Sequence, residues 1–89
     1  MKAVISVIGQ DQRGIIYHIS KILYENDINI LDISQTIMQE MFTMVAMVDI
    51  STSSVDFETL KELLRKCSEA HALQIHVQHE DIFNSMHNI

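Results

Sequence analysis

The heptad Gly9 to Ile15, GQDQRGI, holds both glycines of a chain that has no proline, and its residue types are the ones best suited to chemistry. Gly9 and Gly14 stand at the G-x-x-x-x-G spacing of a phosphate loop, whose next residues would be Lys and Ser or Thr to hold phosphate and Mg²⁺. Ile15 and Ile16 stand there instead, so the nucleotide reading fails. A dinucleotide fingerprint needs another glycine two residues after Gly9, and that position is Asp11. What is left is a strand-to-helix turn whose unpaired N–H groups and positive dipole end suit a carboxylate or another small anion. The plainer alternative is a capped turn with glycine where no Cβ fits.

Other spacings carry less. His76 and His79 are three apart, but on a strand such residues point to opposite faces, so no shared metal is expected. Met38, Met41, Met44 and Met47 recur every third residue like thioether copper ligands, yet strand alternation turns them in and out, which suits core and interface filling. No nucleophile, base and orienting group fall together, so no catalytic residue and no cofactor are assigned. The single Cys67 cannot form an internal disulfide, which fits a reducing, cytoplasmic setting.

These residues need elements to position them. From Met1 to Gly9, Ala3, Ile5 and Val7 alternate with Val4, Ser6 and Ile8, the pattern of a strand buried on both faces. Ile15/Ile16, Ile19 and Ile22/Leu23 then recur at helical spacing, behind Asp11 as the N-cap and ending at Asn26-Asp27. Asp27 to Gln39 reads as strand, although Ile30 and Ile33 can share a face only through a bulge or twist. After the weak turn signal Gln39-Glu40, Phe42, Met44, Ala46, Val48 and Ile50 form an unbroken alternating face. Ser51 to Ser54 is a loop supplying a cap for a helix through Phe57, Leu60, Leu63/Leu64 and Cys67, with Asp56 and Glu58 in its first turn and Arg65-Lys66 in its last. Ala72 to Glu80 alternates as a last strand, and a short helix is expected from about 81 to 88 behind Asp81.

The order βαββαβ predicts an α+β, ferredoxin-like sandwich, one domain over residues 1–89, with both helices on one side of a four-stranded antiparallel sheet. Its open face would carry Val4, Ile8, Val45 and Met47 beside Ser6, Thr43, His76 and Gln78, a part-apolar patch for the C-terminal helix, a second subunit, or both to cover. Acylphosphatase chemistry uses this fold with an arginine in the first loop, but Arg13 lacks a phosphate-cradling glycine-rich loop, and Asn29 precedes the next strand instead of lying within it. The copper-chaperone version needs C-x-x-C in the first loop, which is absent. An RNA-binding version needs exposed aromatics on the central strands, where Phe42 faces the core.

Net charge is −6, with six scattered basic residues, so a phosphate-backbone binder is not expected. Apolar runs fall far short of the roughly 18 residues that span a bilayer, so no membrane partner is expected either. At 89 residues a chain leaves much of its apolar surface exposed, and pairing with a second copy would add stability.

At Asp11-Gln12-Arg13-Gly14-Ile15, Asn29-Ile30, Asp32-Ile33-Ser34-Gln35 and Phe42-Thr43-Met44 the whole chain resembles the ACT domain. "DISQT", "FTM" and the ending "IFNSMHNI" resemble most closely an uncharacterised family of short, stand-alone bacterial ACT-domain proteins, related to the glycine-cleavage repressor type. The resemblance implies a regulatory module that binds a small molecule, usually an amino acid, as a side-by-side homodimer with ligand at the interface. It places the loop glycine on Gly14, the polar contact on Asp11, and the hydrogen-bonding Asn of the adjoining subunit on Asn29. Gly14 and Ile15 N–H groups would then hold a carboxylate and Asp11 an ammonium. Arg13, where such domains often have a small residue or proline, would close the pocket or supply a carboxylate fork.

Overall fold

The computed structural model describes residues 1–81. Six elements follow one another: β1 (Lys2–Gly9), α1 (Gln12–Glu25), β2 (Asn29–Met38), β3 (Met41–Asp49), α2 (Phe57–His71) and β4 (Gln74–His79). The strands form one antiparallel sheet in the order β2-β3-β1-β4. This is the ferredoxin-like α+β arrangement that the alternation predicts. All but the first residue of the expected C-terminal helix lies outside the described residues.

One face of the sheet makes the core. Ala3, Ile5 and Val7 of β1 and Phe42, Met44, Ala46 and Val48 of β3 are buried under Ile15, Ile19 and Leu23 of α1 and Leu60, Leu64 and Cys67 of α2. No polar side chain is buried among the described residues, so the core rests on apolar packing alone. Burial pushes the Cys67 thiol pKa up, which keeps it a neutral packing group. The other face carries Val4, Ser6 and Ile8 beside Thr43, Val45 and Met47, with His76 and Gln78 on the far strand, as the register shows. His76 pairs with Ser6 and His79 with Ala3, which puts the two imidazoles on opposite faces.

Element ends differ in instructive ways. Asp56, expected inside the first turn of α2, is its N-cap: its carboxylate accepts the Thr59 N–H at 2.7 Å. The helix also runs one turn past Arg65-Lys66, and stops where Ala72 turns left-handed at φ 54°. In β2 the needed bulge is present, because Ile30 opposes Val48 and Asp32 opposes Met47, leaving Leu31 as the extra residue. Asp32 Oδ1 accepts the Ile33 N–H at 2.9 Å there. Ile33 therefore falls opposite Ala46, on the same face as Ile30. The methionines do not simply alternate, since the hairpin reverses the chain and sets Met38 directly opposite Met41.

That hairpin turn is made by Gln39 and Glu40, at φ 50° and 69°. Two consecutive positive φ values match a type I′ turn, which Asn-Gly adopts more readily than residues with long side chains. Replacing Gln39-Glu40 by Asn-Gly should raise the unfolding free energy by about 1 kcal/mol in urea titration. A loss of stability would contradict the turn assignment.

Candidate functional site

The first loop is built around a helix cap. Asp11 holds extended backbone angles and its Oδ1 accepts the Gly14 N–H at 3.1 Å, while its carbonyl accepts the Ile15 N–H at 2.9 Å. Both N–H groups offered by the sequence to a ligand carboxylate are thus taken by Asp11 itself. The reason is general: an Asx side chain at the N-cap satisfies an orphan donor before any ligand arrives. The first-turn donors left ahead of these bonds are the N–H groups of Gln12 and Arg13.

Both glycines answer to close approach. A Cβ on Gly14 would lie 2.5 Å from Asp11 Oδ2, so the missing side chain lets the capping carboxylate in. A Cβ on Gly9 would lie 2.5 Å from Leu73 Cδ2 and 2.9 Å from Ile15 Cδ1, so that glycine lets β1 end against the α2–β4 connection. Neither has a positive φ. Ile15 is fully buried and its side chain belongs to the core, leaving only backbone to the loop surface. Arg13 is exposed on the first turn of α1.

Asn29 does not join them within one chain. It is the first residue of β2, inside the strand and not ahead of it as the sequence reading expected, and it opposes Asp49, which pairs with Lys2, whereas the first loop follows Gly9 at the far end of β1. The length of β1 separates the two ends, about 23 Å at roughly 3.3 Å per residue. Asp11, Arg13, Gly14 and Ile15 make one cluster, and Asn29 stands alone at the opposite end of the sheet.

Two residues that sequence spacing did not bring forward lie beside the loop. His18 of α1 and His71 in the last turn of α2 stack with centroids 3.6 Å apart and planes 17° from parallel. They line a cleft of about 100 Å³ together with Asp11, Gly14 and Leu73, next to a wider one of about 380 Å³ bordered by Gln10, Met41 and Gln74. Only the packing of α1 against α2 joins residues so far apart in the chain. A separate groove of about 320 Å³ between α2 and β4 contains Arg65, but that guanidinium is held at 2.6 Å by both Glu62 and Glu69.

The fold and this loop define the class. A model of the ACT domain matches residues 2–78, and the chain belongs to that family of regulatory ligand-binding domains. Within it, the chain is similar to a UPF0237 protein of Methanocaldococcus jannaschii, 58% identical over 88 residues that cover 99% of this chain and 98% of the relative. The ACT domain protein from Streptococcus pneumoniae superposes with a TM-score of 0.80 at 38% identity, over 93% of each chain. A chain assigned as a glycine cleavage system transcriptional repressor shares the fold, with a TM-score of 0.75 at 20% identity, over 89% of this chain and 47% of that one. The resemblance read from the sequence therefore holds, and its relatives include an archaeal protein as well as bacterial ones. Among the described residues no helix is long and apolar enough to cross a membrane.

The cap accounts for Gly14 in a way that a double-mutant cycle can check. Asp11→Ala should cost about 0.5–2 kcal/mol in urea titration. Gly14→Ala made in that background should stabilise by about 1 kcal/mol, the helix-propensity gain, because the clash partner is gone. In the parent protein the same change should gain nothing, since it displaces the capping carboxylate. Equal effects in both backgrounds would show that the Asp11 carboxylate is not what excludes a side chain at Gly14.

Proposed function

We propose that this chain is a regulatory, non-enzymatic module of the cytoplasm that binds a small molecule, an amino acid, as a side-by-side homodimer with the ligand at the interface. The observation that carries this reading is the β2 edge. Ten residues of edge strand are exposed throughout, and the helix-side row Ile30, Ile33 and Ile37 stands 44%, 42% and 65% exposed. Ile16 of α1, also exposed, adds to the apolar surface. A long, apolar, unpaired edge is a pairing template, and soluble proteins cover such edges or charge them.

A two-fold antiparallel pairing of β2 with its copy supplies both the cover and the missing ligand contact. It lays the Asn29 end of one strand beside the Met38 end of the other, and Met38 lies at the first-loop end of the sheet. Asn29 of a second copy then stands at the same end of the sheet as the Asp11 cluster, the end that Asn29 of the same chain cannot reach. In this arrangement Asp11 Oδ2 takes an ammonium, while Arg13 and the N–H groups of Gln12 and Arg13 take a carboxylate. Gly14 and Ile15 contribute the backbone that shapes the turn. No metal, cofactor or nucleic acid enters this reading.

A second reading, a ligand-free oligomerisation module, has one observation in its favour: the cap explains Asp11 and Gly14 with no ligand present. Two measurements separate them. Sedimentation velocity at micromolar concentration should give a dimer that Ile33→Lys converts to a folded monomer, because a lysine on each edge opposes strand pairing. Thermal-shift screening against the standard amino acids should then find one whose presence at about 100 times its Kd adds about 2.7 kcal/mol of stability. A dimer that no amino acid stabilises would leave the oligomerisation reading standing and remove the ligand-binding one.

A further inference from the structure

The two helices lie beside each other on the sheet, and the groove between their outer surfaces has a volume of about 320 Å³. Each helix turns its most buried stripe to the strands and keeps a half-buried apolar flank. Those flanks meet at the groove, where Ile22 of α1 and Leu63 and Cys67 of α2 make an apolar floor. Cys67 is 8% exposed there, so it serves as floor and not as a reactive group.

The rim is cationic, although the chain as a whole carries a net charge of −6. Lys21 and Lys66 stand on it, both exposed, and neither makes an ion pair among the described residues. Arg65, one position earlier on α2, shows the contrast: Glu62 and Glu69 hold its guanidinium on both sides. His18 and His71 add two imidazoles to the rim, stacked with centroids 3.6 Å apart. Stacking occupies the ring faces, and neither ring makes a hydrogen bond or ion pair among the described residues, so the N–H edges remain donors. Glu25 is the one acid that lines the groove.

An apolar floor between two cationic walls defines what fits it. The complement is an apolar stripe flanked by carboxylates, and a groove bounded by two helices receives such a stripe from a third helix. A nucleic-acid backbone or an anionic membrane would extend past the rim onto the acidic remainder of the chain, whereas a short helix meets the rim alone, within a screening length of about 8 Å. We infer that the groove between α1 and α2 docks an amphipathic helix of a partner protein, apolar along one stripe and acidic on its flanks. This goes beyond the small-molecule reading and uses no residue of the Asp11 cluster. Pairing along β2 leaves the groove open, because α1 packs toward β2 and α2 toward β4.

The test titrates the ¹⁵N-labelled full chain with a synthetic helical peptide of about 18 residues, with Leu along one stripe, Glu on its flanks and Ala elsewhere. A second peptide carries Lys in place of Glu. The amide signals of Lys21, Ile22, Leu63 and Lys66 should move and saturate with the Glu peptide, while those of Ile33 on β2 and Val45 on the open sheet face stay in place. The Lys peptide should cause no saturable shift. Lys21→Glu combined with Lys66→Glu should weaken the Glu peptide at least about tenfold and admit the Lys peptide, since two attractive charge contacts become repulsive. Both lysines are exposed, and an unchanged urea midpoint would confirm that the variant folds as the parent does. No saturable shift with the Glu peptide up to millimolar concentration, or equal binding of both peptides by the parent, would overturn the proposal. So would movement of the same four signals on diluting the chain alone, which would give the groove to a second copy, or tighter saturation by phosphatidylserine vesicles or oligothymidylate than by the Glu peptide.

Discussion

Among the described residues two helices do not cover four strands, and much of this molecule follows from that geometric shortfall. α1 and α2 bury the helix-side rows of β1 and β3 completely, while β2, at one edge, stays exposed along its length. The uncovered row is nevertheless apolar, with Ile30 and Ile33 brought into line by the bulge at Leu31. A solvent-facing edge would be expected to carry charge, and Asp32 is the one charged residue in β2. The edge is apolar where solvent would favour charge, which is the physical basis for proposing that a second copy covers it.

The first loop obeys a different constraint, the need to begin a helix immediately after a buried strand. Asp11 does this with one carboxylate oxygen and its own carbonyl, and Gly14 is bare because the carboxylate occupies the space of its Cβ. One residue therefore starts α1 with one carboxylate oxygen and lays the other over the bare Cα of Gly14. A ligand group that bonds Oδ2 acts on the same carboxylate that caps α1, so binding and the stability of the first turn are linked through a single side chain.

Much of this was legible in the sequence, for identifiable reasons. Strict alternation in Phe42 to Ile50 and the spacing of Ile15, Ile19 and Leu23 fixed β3 and α1, because burial on one face leaves a period that composition alone cannot hide. The three-residue interval between Ile30 and Ile33 required a bulge, and the register contains one. The fate of the Gly14 and Ile15 N–H groups was not legible: spacing identifies a helix N-terminus but not whether a side chain already occupies its donors. The separation of Asn29 from Asp11 was legible only once strand pairing was known. His18 and His71 had no local signal, since their contact is made by α1 lying beside α2.

The central claim is that the ligand site draws on two copies joined along β2. The most direct measurement is an isotope-filtered nuclear Overhauser experiment on a mixture of ¹³C-labelled and unlabelled protein. Cross-peaks between methyl groups of Ile30, Ile33 and Ile37 on different copies are the result this account predicts, because an antiparallel two-fold pairing places those side chains along the shared edge. Intermolecular cross-peaks confined to Val45 and Met47 on the open face, or none at a concentration where the protein sediments as a dimer, would contradict it.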